Sequence, residues 1–322
     1  MKKGIFLMGV LFLTTFSFAF DMGLVWAEYP DRKIKLISPF EAGGGTDLTA
    51  RILARYANPY LNDRVYVENV VGAGGAIGFR EGGKAAPDGY TLTMVPNSII
   101  TGPLMVKDFP TLDLFDIICV VMKDPNTLTV KSDSSFKTGA DLISYAKANP
   151  VKVSIGTAGF ASYSHLIVVA FEDAIGTKFN MVPYKGAGPA QVAAVGGHVD
   201  GAISGLSEAF SLVDGKKLRY LIVFGDKRHQ SFPEVPTAKE LGYDLAFYNF
   251  NSVAVPKGTP KEIKDILARA FKKAIENEEC KKTFEKMNRP SFYVPPEEAV
   301  PWIKAIADAY KSAANKIGIK PE

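Results

Sequence analysis

Residues 39–53 read PFEAGGGTDLTARIL, so an apolar strand runs into Gly43, Gly44 and Gly45 and a helix-like stretch follows at once. Backbone without Cβ atoms can take positive φ and let a ligand reach its N–H groups. The helix leaves its first N–H donors unpaired and turns its positive dipole end toward the loop, which suits an anion. Thr46 or Asp47 is expected to cap it, with Leu48, Ile52 and Leu53 facing inward. A tight turn alone would use the same glycines, so repetition decides between the two readings. VSIGTAGFASYSHLIVVAF sets Thr157, Gly159, Ser162 and Ser164 before a second apolar helix. VPYKGAGPAQVAAV sets Lys185, Gly186 and Gly188 before a third, with Pro189 suited to its first position. VENVVGAGGAIG adds Gly72, Gly74 and Gly75. The first two loops carry no Arg or Lys, so backbone and hydroxyl donors would hold the anion, as suits a carboxylate that must later be released.

Other chemistries fit less well. GAGGAIG spaces its glycines as G-x-G-x-x-x-G, without a well-placed acidic residue for a ribose, and GFREGGKA ends in Ala85 where a phosphate loop needs a hydroxyl for Mg²⁺. Ser162, His165 and Asp200 have the types of a nucleophile triad, yet Ser162 and His165 sit at one helix start and no G-x-S-x-G elbow exists. His165, His198 and His229 lack metal-ligand spacing. No metal and no cofactor is expected. Arg51 and Arg55, four apart, suit a structural ion pair at least as well as a ligand contact.

The elements that must position these loops alternate. Strand-like KIKLISPF, RVYVENV, YTLTMVP, NTLTVKS, VKVSIG, NMVPY, VDGAIS, KLRYLIVFG and NSVAVP are interleaved with helical patterns, an α/β order that predicts a mostly parallel sheet flanked by helices. KEIKDILARAFKKAIENEECKKTFEKM reads as one helix and PPEEAVPWIKAIADAYKSAANKIG as the last. The 322 residues suit two domains. Crossings between them are expected near residues 120–130 and 248–256, giving a discontinuous first domain, 28–125 with 251–322, around a second, 126–250. The cleft between them is the default ligand site. A formal charge of +4, without a basic run beside aromatics, argues against nucleic acid.

MKKGIFLMGVLFLTTFSFAFDMGLVWAEYP has the charged start, apolar run and small-residue exit of a secretory signal peptide over residues 1–27, with Val25-Trp26-Ala27 as cleavage site. Cleavage removes two positive charges and one negative, leaving +3. A soluble, exported protein is expected, with Cys119 and Cys280 unpaired and structural.

These motifs together resemble the substrate-binding proteins of tripartite tricarboxylate transporters, the Bug-type periplasmic solute-binding proteins. The resemblance runs through YPDRKIKLISPFEAGGGTDLTAR, VYVENVVGAGGAIG, APDGYTL, VPYKGAGPAQVAAVGGHVD, FPEVPTAKELGYD and AVPKGTP. It implies two Rossmann-like α/β domains joined by a hinge, the type II periplasmic-binding-protein fold, closing on a small organic carboxylate without chemistry. It further implies a periplasmic monomer that serves the membrane subunits of a transporter. By resemblance the first ligand loop is Phe40 to Asp47 and the second Thr157 to His165; GAGG at 72–75 holds the ligand's far end and Tyr184 to Gly186 borders the cleft. The expected ligand set is Phe40, Gly44, Gly45, Thr46, Asp47, Gly72, Gly74, Ser98, Thr157, Gly159, Phe160, Ala161, Ser162, His165, Tyr184 and Asp200. Two departures stand out: Gly159-Phe160-Ala161-Ser162 replaces the usual G-x-G-S, and Phe250-Asn251-Ser252 replaces a W-x-G-like approach to the last crossing. A sensor feeding a membrane receptor, or an exported hydrolase using Ser162 or His165, are the other classes to separate.

Overall fold

The computed structural model describes residues 29–159, 162–184, 186–289, 291–316, 318–319 and 321. The expected signal peptide, residues 1–27, and the expected ligand residues Phe160 and Ala161 lie outside them, as does Lys185. In chain order the strands are β1 (Ile34–Ser38), β2 (Val65–Asn69), β3 (Thr91–Pro96), β4 (Phe115–Lys131), β5 (Ser154–Thr157), β6 (Asn180–Pro183), β7 (Gly201–Gly205), β8 (Leu218–Phe224), β9 (Tyr248–Pro256) and β10 (Ser291–Val294). The helices are α1 (Gly45–Ala57), α2 (Ala76–Lys84), α3 (Ser98–Thr101), α4 (Gly139–Ala148), α5 (Tyr163–Ile175), α6 (Ala187–Val195), α7 (Leu206–Asp214), α8 (Lys261–Glu276), α9 (Glu278–Lys286) and α10 (Pro296–Lys316).

Two pleated layers share one strand. β2, β1 and β3 run parallel on one side, β6, β5 and β7 parallel on the other, and β4 and β9 run antiparallel between them. The expectation of a mostly parallel sheet therefore holds only for the outer strands, because the connections that cross between layers return in the opposite direction. β4, read from the sequence as a crossing and a separate strand, is one 17-residue strand. It pairs with β9 from Phe115 to Pro125 and with β7 and β8 from Asn126 onward. The switch falls at Pro125, whose missing N–H ends the donor pattern on one side. Asn126 N–H resumes it by donating to the Phe247 carbonyl.

Helices cover both faces. On α8, Ile263, Leu267, Ala270, Phe271 and Ala274 recur at helical spacing and are buried. The helix expected to continue to Met287 instead stops at Asn277, whose extended backbone and side-chain oxygen, accepting from Glu279 and Cys280 N–H, start α9. α7 and β10 had no counterpart in the sequence reading. Tyr310 on α10 is fully buried, its ring against Phe247 and its hydroxyl beside Asn126. α10 also packs on α5, so the C-terminal helix touches both layers. Cys119 and Cys280 are free and buried. No helix among the described residues is long and apolar enough to cross a membrane.

Candidate ligand site

The first glycine loop is tied from beneath. Asp47, 1% exposed, accepts from Gly43 N–H at 2.8 Å, Asn69 Nδ2 at 2.8 Å and Arg51 Nε at 2.9 Å, while Asn69 Nδ2 also reaches the Phe40 carbonyl. Burial alone would push its carboxyl up; these donors hold it below the usual carboxylate range. Arg51 is thus the structural ion pair that its spacing suggested. The cap differs from the expectation. Gly44 occupies the N-cap with no side-chain bond, so neither Thr46 nor Asp47 caps α1, and Leu48 is 37% exposed rather than inward.

The second loop spends its hydroxyls on itself. Ser162 caps α5, accepting from His165 N–H at 3.3 Å, and its Oγ donates to the Gly159 carbonyl at 2.7 Å. Thr157, 1% exposed, reaches the same carbonyl at 3.4 Å, and Ser164 Oγ accepts from Ala158 N–H. Gly159 has φ +137, a backbone conformation that disfavours any side chain, and lies beside the Tyr184 carbonyl. His165 is buried, which lowers its pKa against the opposing pull of Glu172. Asp200 is exposed, and its carboxylate binds Ser154 N–H and Oγ at 2.8 and 2.7 Å, a latch between strand ends. In GAGG, Gly72, Ala73, Gly74 and Gly75 all have positive φ, and Gly75 makes room for the Phe40 and Phe79 rings. Ser98 opens α3 with its buried Oγ unpartnered among the described residues. Pro189 is the third residue of α6, not the first.

A chamber of about 150 Å³ lies where the loops meet the crossing strands. Gly45 and Thr46 line it from α1, Asn97 from the end of β3, Asp124 from β4, Asn249 and Asn251 from β9, and Tyr163 and Glu208 from α5 and α7. Arg289 lines one end of it: a Cβ placed on Gly45 would lie 2.1 Å from a guanidinium nitrogen, so the cation rests on bare backbone at the α1 N-terminus. Two positive fields converge there, and the guanidinium makes no hydrogen bond or ion pair with a described residue. Of the described members of the expected ligand set, only Gly45 and Thr46 line this chamber; Thr157, Gly159, Ser162, His165, Tyr184 and Asp200 do not.

The opposite wall is acidic. Asp124, 2% exposed, accepts from Ser207 Oγ at 2.6 Å and Ser207 N–H at 3.2 Å. Burial pushes its carboxyl up to about 7, Ser207 pulls it down and the Glu208 charge pushes it up. Glu208 accepts from Tyr163 Oη at 2.8 Å and Gly205 N–H at 2.9 Å, and Asn97 Nδ2 donates to Asn249 Oδ1 at 3.0 Å. A Cβ on Gly205 would meet Asp124 Oδ2 at 2.6 Å, Asn249 Nδ2 at 2.9 Å and Glu208 Oε2 at 3.2 Å, so Gly205 is the point on which the polar wall converges. Asp124, Tyr163, Glu208, Asn249 and Arg289 were absent from the expected set. The one visible signal was the charged pair Lys123-Asp124 inside an apolar run.

The family model described as Tripartite tricarboxylate transporter family receptor matches residues 49–317. Protein BugT of Bordetella pertussis is 32% identical over 297 residues, covering 91% of each chain. A TctC solute binding protein from Polaromonas, solved with no ligand, superposes with TM-score 0.79 at 31% identity, covering 90% of this chain and 99% of that one. An R. palustris protein solved with adipate gives TM-score 0.77 at 27% identity, covering 91% and 100%.

Proposed function

The chain belongs to the tripartite tricarboxylate transporter receptor family, and from that membership we propose that it captures a small organic carboxylate in the chamber and delivers it to the membrane subunits of such a transporter. The observation that carries the reading is the meeting of the α1 N-terminus with the Arg289 guanidinium at one end of the chamber. A carboxylate there would accept from backbone N–H groups of Gly45 and Thr46 and from a cation that keeps no other hydrogen-bonding partner among the described residues. The adipate found in the R. palustris relative supports a ligand of this class. The protein binds and releases without bond-making, acts as a monomer, and reaches the periplasm through cleavage of residues 1–27.

The hinge in this reading is the pair of crossing strands, with 28–125 and 251–322 as one lobe and 126–250 as the other. The change of partners at Pro125 supports that division, while α10, packed on α5, would slide or follow as the lobes close. Among the expected residues, Gly45 and Thr46 bind directly; Phe40, Gly44, Asp47, Gly72 and Gly74 shape the loop; and Thr157, Gly159 and Ser162 keep the α5 start in place. Calorimetry of the mature chain against mono-, di- and tricarboxylates and their primary amides tests the reading. Binding of carboxylates and not of amides supports it. Heatless titration with every carboxylate, or turnover of an ester or amide panel, contradicts it.

A further inference from the structure

The crossing strands have a second face. On β4, Met122 and Asp124 line the chamber while Lys123 and Pro125 line a separate groove of about 540 Å³; on β9, Asn249 lines the chamber and Tyr248 the groove. Side chains alternate across a strand, so the groove lies behind the chamber, and the two share no lining residue. One wall of the groove is the turn after β8, residues 226–231; the other carries Glu285, Asn288 and Phe292. Its volume falls within the roughly 300–1,000 Å³ of small-molecule sites.

The charge balance of the groove is positive. Three cations, Lys123, Lys227 and Arg228, stand against two carboxylates, Asp226 and Glu285. Asp226 is already answered, by Lys123 Nζ at 3.0 Å and by Tyr248 Oη, which donates to it at 2.6 Å. Arg228 gives its Nε to Glu240, 2.9 Å from both carboxylate oxygens. Glu285 lies in the field of Lys281 and Lys282 on its own helix. Lys227 is exposed and keeps no hydrogen bond or ion pair with a described residue. Aromatic surface stands beside these cations. Phe292 packs on Trp302 with ring centroids 5.7 Å apart, and the Lys123 ammonium sits 3.8 Å over the Tyr248 ring. A cationic guest would meet that ammonium on the ring face it needs, whereas an anion is drawn to it and to Lys227.

We propose that the groove is a second binding site, distinct from the carboxylate chamber, for a small organic anion with a flat aromatic body. The anionic head meets Lys227, and the body lies along Phe292 and Tyr248. The test uses 8-anilinonaphthalene-1-sulfonate as the anion and N-phenyl-1-naphthylamine, the same rings without the sulfonate, as its neutral partner. With Trp26 inside the expected signal peptide, the mature chain holds one tryptophan, Trp302, and energy transfer from it reports a dye bound nearby. The expected result is saturable transfer at one dye per chain, with the anion binding about tenfold or more tightly than the neutral dye. Lys227→Gln should cut that preference about threefold or more, since an exposed ion pair is worth up to about 1 kcal/mol, and Lys227→Glu should remove it. Arg289→Gln, which alters the chamber alone, should leave dye binding unchanged. Lys227 is exposed, so both of its variants should fold. Absent or unsaturable transfer, equal binding of the two dyes, or a loss caused by Arg289→Gln and not by the Lys227 variants overturns the second site and leaves the carboxylate reading standing.

Discussion

Gly45 is glycine because the Arg289 guanidinium occupies the space a Cβ would take. The obstruction is the far end of a flexible side chain, so Gly45→Ala should fold with little change in melting temperature while pushing the cation off the α1 N-terminus and weakening carboxylate binding. Arg289→Gln should lower carboxylate affinity by about tenfold or more, a charge-assisted contact being worth roughly 1.5–3 kcal/mol; calorimetry on both variants reads this. Asp124 makes a prediction of stability. Its folded pKa lies above its unfolded value, so the unfolded chain gives up the proton first and stability falls between about pH 4 and pH 7. A displacement of this size corresponds to about 4 kcal/mol at most. Asp124→Asn should therefore melt several degrees higher than wild type at pH 8 and no higher at pH 4. Equal shifts at both pH values would contradict the assignment. Asp47 has the opposite sign: its depressed pKa supplies stability above its unfolded value that is lost as pH falls through the folded one.

At the scale of elements, the loops that carry bare backbone were legible because glycines between a β-rich run and an apolar helix have few other uses. What those glycines face was not. GAGG accommodates the Phe40 ring, Gly159 backs onto Tyr184, and the hydroxyls of Thr157 and Ser162 turn to a carbonyl of their own loop. A donor type in a sequence does not say in which direction the donor points. α7 escaped notice because its nine residues follow a buried strand directly, with Gly205 serving both as strand end and as helix N-cap. That double duty makes it sensitive. Gly205→Ala keeps an allowed φ of −60 but drives a methyl into Asp124, Asn249 and Glu208, and should cost roughly 1–3 kcal/mol together with most of the binding. Asn277→Ala, which removes the cap between α8 and α9, should cost about 1 kcal/mol and leave binding unchanged, as a paired denaturation and titration would record.

At the scale of the molecule, two layers, a shared 17-residue strand and a chamber at the carboxyl ends of β1 and β3 were in part readable from the order of elements. The identity of the chamber was less so, because it is assembled from residues as far apart as Gly45 and Arg289, which no spacing in the chain relates. A ligand that binds the folded chain stabilises it by mass action, about 2.7 kcal/mol when free ligand is 100 times Kd. The most direct test of the central claim is titration calorimetry of wild type and Arg289→Gln, side by side, with the carboxylate panel and its primary amides. The account predicts that wild type binds at least one small carboxylate and not its amide, and that the variant loses that binding while keeping its fold. A carboxylate that binds both proteins equally, or an amide that binds as well as its acid, would contradict it.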